Sequence, residues 1–349
     1  MARRGAGEAQ ADVQFGHFSL YFDEKYNILK PAPLSTEGTV SMNTSRKSSQ
    51  PASAPRYLQW WMRQHPLFFF FLMSYAFTWI VLIPYMLSVW GILNGNFDFL
   101  YIIKPFVGPT LAAIIMIYVT EGKEGLLRLR KRLEQRRASW QWYLLILAAI
   151  PALILLGIII QPGTLASFQG LTPRLLVTYP LYFIIVFFGV ALPEEIGWRG
   201  FALPRMQPRY GPLWGTLLLG VLWCFWHLIF FLTPAHGGGP GTSFADLLTS
   251  FSYFFLMVVA LSIIFTWVFN HTGGSIFIAN LLHAAIDTPQ LVWIPLFLAV
   301  DETKMNLASL IAFGVPALMI VILTRGRLGY QSSQEQSLGP RASKSPLIL

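Results

Sequence analysis

The chain is short of charge. Only 12% of its 349 residues are Asp, Glu, Lys or Arg, against 54% hydrophobic residues and a mean hydropathy of +0.54. Soluble domains carry roughly 25% charged residues, so a soluble globular fold is excluded. Cysteine is nearly absent: Cys224 stands alone, which rules out an internal disulfide and any thiolate metal cluster. No short apolar core followed by small residues opens the chain, so the first hydrophobic segment is a permanent span and not a cleaved signal.

What replaces charge is a series of apolar runs near 67–91, 100–119, 142–161, 175–193, 213–232, 248–269, 275–299 and 306–323. Each is about the 20 residues that a helix needs to cross a hydrocarbon core of about 30 Å. The spacing predicts an all-α, polytopic transmembrane helical bundle of about eight spans. Residues 1–56 are polar and lack sustained periodicity, which predicts a disordered cytoplasmic leader. Residues 57–325 form one transmembrane domain without internal repeats, and 326–349 read as a disordered tail.

The net charge of +9 does not mark a nucleic-acid binder, because the basic residues are confined to particular loops. Lys123, Arg128, Arg130, Lys131, Arg132, Arg136 and Arg137 crowd the segment 120–139, which the positive-inside rule assigns to the cytoplasm. Counting spans from there puts both termini in the cytoplasm, in a multi-pass protein of the lipid bilayer, expected in a prokaryotic plasma membrane. Leu126, Leu127, Leu129 and Leu133 interleave with those charges, a pattern open to two readings: an amphipathic interfacial helix or a solvated loop.

Ionisable groups inside apolar runs are costly and each calls for a partner. Pro193-Glu194-Glu195-Ile196-Gly197-Trp198-Arg199-Gly200 closes the fourth run. On a helix Glu195 and Arg199 share a face and can pair, while Glu194 points about 100° away and is free to face a cavity. His227 lies among Trp223, Phe225 and Trp226, where an imidazole needs a hydrogen bond or a metal. Asn280, His283 and Asp287 align on one face of the seventh run, beside Ala284 and Ala285, which let a neighbour approach closely. Asp287 is placed to orient His283 through a ring nitrogen. Lys104 reads as a snorkelling residue, and His236, Asp246, His271, Asp301 and Glu302 read as loop residues without a role.

Three of these segments together resemble the group of CAAX proteases and bacteriocin-processing enzymes, the abortive-infection family. Its Glu-Glu-x-x-x-Arg falls on Glu194, Glu195 and Arg199, its Phe-x-x-x-His on Trp223 and His227, and its His-x-x-x-Asn/Asp on His283 and Asp287. The resemblance covers about residues 140–300. Trp223 departs from the usual Phe, and as a packing residue it is expected to leave activity intact. The resemblance implies an intramembrane endopeptidase acting on a membrane-associated peptide or protein, with Glu194, Glu195, Arg199, His227, His283 and Asp287 as its catalytic set. Two versions are open. Without metal, Glu194 and His227 activate a water while His283 and Asp287 hold the oxyanion; with zinc or another divalent ion, Glu194, His227 and His283 are the ligands.

Rival readings are weaker. No His-Glu-x-x-His or Gly-x-Gly-Asp occurs, against site-2-type zinc proteases and presenilin-like aspartyl enzymes. Gly241-Thr242-Ser243-Phe244-Ala245 loosely fits a serine-protease elbow but falls in a loop. A proton-coupled carrier would use buried Glu and His too, yet no inverted repeat supports one. A noncatalytic scaffold would have no need of the three motifs.

Overall fold

The computed structural model describes residues 54–297 and 302–331, together with the backbone of three short strands nearer the N-terminus. The strands belong to a separate unit spanning Met1–Pro51. β1 (Val13–Phe15), β2 (Phe18–Asp23) and β3 (Ile28–Pro31) pair antiparallel in that order, Val13 facing Leu20 and Leu20 facing Pro31. They stand in the stretch expected to lack regular structure, being too brief for a period-two pattern to register. The rest of that leader, and the tail beyond 331, lie outside the described residues.

The second unit is helical. α1 (Ala54–Gln64) precedes α2 (Pro66–Val89), α3 (Asp98–Glu134), α4 (Trp140–Ile159), α5 (Leu175–Tyr210), α6 (Pro212–Leu232), α7 (Phe244–His271), α8 (Ile276–Trp293) and α9 (Glu302–Thr324). Among the described residues seven helices are long and apolar enough to cross a membrane, and α8 is not one of them. Asn280, His283, Asp287 and Gln290 dilute its apolarity. It is tolerated because its polar face is buried against protein, where Asn280 and His283 are nearly inaccessible. With α8 the bundle has about the eight spans expected.

Helix ends follow the local sequence. Ser275 Oγ accepts the amide of Ile278 and starts α8. Ser243 Oγ accepts the amide of Asp246 at 3.1 Å and donates to its carboxylate at 2.6 Å, capping α7. The serine-elbow match is therefore a helix cap, and Asp246 belongs to the same cap. His271 ends α7 and Glu302 begins α9, so neither lies in a loop; Asp301 is outside the described residues.

The basic segment differs from a simple loop. α3 continues through it to Glu134 with a kink at Gly122, whose φ of 65° only glycine adopts easily. Leu129 is buried and Leu126 and Leu133 pack against the core, so these three leucines are the inner face of a helix, while Leu127 is exposed. Arg132 is drawn in with them: it donates to the carbonyls of Arg199 at 2.9 Å, Gly200 at 3.3 Å and Gly274 at 3.1 Å. One guanidinium thus ties α3 to the middle of α5 and to the turn before α8.

Candidate active site

α5 decides where the paired glutamates sit. The fourth apolar run suggested a helix ending near Pro193, with the carboxylates at the membrane edge. Instead α5 runs unbroken to Tyr210, so Glu194 and Glu195 lie in its middle. Proline inside a helix lacks an N–H and crowds the carbonyl four residues back. Here the preceding turn, Phe187–Ala191, is widened to an i to i+5 pattern, and a second wide turn, Trp198–Ala202, follows the glutamates. Thr110 Oγ1 donates to the Pro193 carbonyl at 2.6 Å. Gly197 is required at the crossing with α3: a Cβ there would stand 2.5 Å from Pro109 Cβ and 3.0 Å from its carbonyl oxygen.

Around the second glutamate runs a chain of charges. Arg199 Nη1 donates to Glu195 Oε1 at 2.9 Å, the i to i+4 pair that the spacing predicts, and both side chains are fully buried. The guanidinium also lies 4.1 Å from the Phe265 ring and 4.7 Å from the Trp223 ring. His283 Nδ1 meets the same Glu195 oxygen at 2.9 Å, and its Nε2 is 3.5 Å from Asp287 Oδ2. Arg199, Glu195, His283 and Asp287 thereby link α5 to α8. Ala284, buried against Val186 and Ala191, lets the two helices approach.

Glu194 takes the other direction. Trp223 Nε1 donates to its Oε2 at 3.0 Å and Trp198 Nε1 does so at 3.3 Å. Trp223 therefore does more than pack; a Phe at this position could not make that bond. One turn further along α6, where the helix tightens at His227, the His227 Nδ1 lies 2.9 Å from the Trp223 carbonyl. A carbonyl only accepts, so Nδ1 carries the proton and Nε2 is left with a lone pair.

These groups meet in one cavity of about 410 Å³, lined by Glu194, Trp223, His227, His283 and Asp287. Trp223 joins its two halves: its indole holds Glu194 and its carbonyl holds His227. Lys104, Tyr101 and His236 line the cavity as well. Neither cation-capable group was assigned a role from the sequence, and the snorkelling reading of Lys104 is overturned: it is only 8% exposed, with Nζ turned onto the Tyr101 ring at 3.3 Å. A lysine five residues before Pro109, within an apolar run, was the one signal that could have exposed it.

The ligand set Glu194, His227 and His283 does not fit a metal as the side chains stand. Among the described residues no group of three His, Cys, Asp or Glu side chains is placed to hold an ion. His283 turns both nitrogens toward carboxylates, Nδ1 at 2.9 Å and Nε2 at 3.5 Å, and so presents no free lone pair to an ion.

Residues 176–289 match the family described as Rce1-like, type II CAAX prenyl endopeptidase. This segment is similar to the CAAX protease family. A curated relative, CAAX prenyl protease 2 of Methanococcus maripaludis, is 30% identical over 146 residues, which are 40% of this chain and 52% of the relative. The chain thus spans about half the length of that relative. The CAAX protease segment lies inside the expected 140–300, contains every candidate catalytic residue, and runs through four helices, α5 to α8.

Proposed function

We propose that the cavity hydrolyses a peptide bond of a membrane-associated substrate, of the CAAX kind that the family's name implies. The observation that carries this reading is Trp223 holding Glu194 on one side and His227 on the other, so that a carboxylate and an imidazole line one cavity. A water between them gives its proton to this pair as its oxygen attacks the scissile carbonyl carbon. The proton then passes to the departing amine as the carbon–nitrogen bond breaks. With its Nδ1 held by Glu195 at 2.9 Å, His283 turns its Nε2–H from the longer, 3.5 Å contact with Asp287 to the carbonyl oxygen as it becomes negative. Arg199 holds Glu195 in place, and so acts through it as a positioning residue.

The zinc-assisted alternative needs His283 to give up the Nε2 proton and its contact with Asp287, so the proposal runs through the metal-free steps. We place the basic end of α3 and both termini in the cytoplasm by the positive-inside rule, with the protein in a prokaryotic plasma membrane. The test is cleavage of a membrane-associated reporter peptide by the purified protein in proteoliposomes. Glu194→Gln and His227→Ala should each abolish cleavage with expression intact, and a chelator should leave the wild type active. Solute flux without proteolysis would replace the reading with that of a carrier.

A further inference from the structure

Lys104 is a buried cation without a carboxylate partner, and it faces the catalytic cavity. Its Nζ donates to the Tyr101 carbonyl at 3.1 Å and lies over the Tyr101 and Phe230 rings at 3.3 and 4.8 Å. Among the described residues it forms no ion pair, although it stands close enough to Glu194 for their charges to interact. Among the described residues two of its three N–H donors have no acceptor. A desolvated ammonium in this condition is costly unless something anionic completes it.

A second donor-capable group stands close by. His236, from the turn after α6, presents a buried Nδ1 without a partner into the same cavity, its ring 6.0 Å from that of His227 and 5.6 Å from that of Phe230. Lys104 and His236 thus both stand by the Phe230 ring in a cavity that Glu194 and Asp287 also line.

We infer that Lys104, with His236 beside it, receives the free C-terminal carboxylate of the peptide being cut. This rests on the protease reading above and specifies its substrate: a chain cleaved a few residues from its end. The Phe230 ring lies 5.2 Å from the His227 ring and 4.8 Å from Lys104 Nζ, so imidazole and ammonium are at most about 10 Å apart, within the reach of an extended tripeptide. A C-a-a-X terminus places three residues after its modified cysteine, so a carboxylate held at Lys104 brings the bond that follows the cysteine to the activated water.

The test compares three reporter peptides of identical sequence up to the last residue: one with a free carboxylate, one amidated, and one amidated with an Asp side chain at the final position. Wild type should cleave the free acid about 10- to 100-fold faster than the plain amide, judged by kcat/KM. Lys104→Met should bring that ratio close to one, and Lys104→Arg should restore much of it. Because any influence of Lys104 on Glu194 acts on all three peptides alike, the ratio isolates carboxylate recognition. Equal cleavage of acid and amide by the wild type would overturn the inference while leaving the protease reading standing, even if the variants fail to fold. Rescue of the amide by the Asp side chain to the level of the acid would overturn the terminal assignment in favour of a side-chain carboxylate. Cleavage of none of the three would instead fail the underlying protease reading.

Discussion

The Glu195–Arg199 pair allows a quantitative test of how the site is held. Both side chains are fully buried and 2.9 Å apart. Removing one partner leaves the other charge unpaired where nothing solvates it, a loss of about 3–5 kcal/mol for buried pairs. Arg199→Leu gives up the cation contacts with Phe265 and Trp223 but leaves Glu195 with His283 as its remaining partner, so its loss stays within that range, about 3–5 kcal/mol. Glu195→Leu leaves Arg199 alone and strips His283 Nδ1 of its acceptor, which adds about 1–3 kcal/mol.

The double variant Glu195→Leu, Arg199→Leu behaves differently. Replacing both partners of a buried pair with apolar groups is often neutral or stabilising, so the His283 penalty of about 1–3 kcal/mol is what remains. The double variant should therefore be more stable than either single variant. The assay is a double-mutant cycle on unfolding in detergent–lipid micelles, followed by the fluorescence of buried Trp198 and Trp226. Cleavage should stay absent in the double variant, because His283 has lost its holder. Strictly additive losses would refute the argument, since they would mean that the two charges do not depend on each other.

Trp223→Phe keeps an aromatic ring but removes the 3.0 Å bond to Glu194, and should lower kcat/KM about tenfold with expression unchanged; an unaltered rate would return Trp223 to a packing role. Gly197→Ala forces a methyl against Pro109 at 2.5 Å and should cost about 1–3 kcal/mol in the same unfolding assay; no loss would show that the α3–α5 crossing is looser than described. Burial pushes the His236 imidazole down to about 4, with Lys104 adding to the fall and Asp287 opposing it. An unfolded histidine titrates near 6.5, so between about 6.5 and 4 the unfolded chain takes up a proton that the folded one refuses, and stability drops as pH falls through that window. His236→Phe should flatten this dependence, and an unchanged slope would count against the burial of the ring.

Sequence alone determined the class of molecule and much of the motif chemistry. Apolar runs of spanning length and a scarcity of charge are composition-level constraints imposed by the bilayer, and they required a helical bundle before any contact was known. The pairing of Glu195 with Arg199 and the shared face of His283 and Asp287 were readable for the same kind of reason: both are i to i+4 relations within one helix. Tertiary structure decided the rest. Hydropathy stops at the paired charges of Glu194 and Glu195 and cannot see that widened turns carry α5 through Pro193 to Tyr210 and put the glutamates at mid-helix. No local pattern links Trp223 to Glu194, Arg132 to the carbonyl of Arg199, or Lys104 to the wall of the cavity. Those contacts join residues dozens of positions apart, and only the packing of separate helices sets such distances.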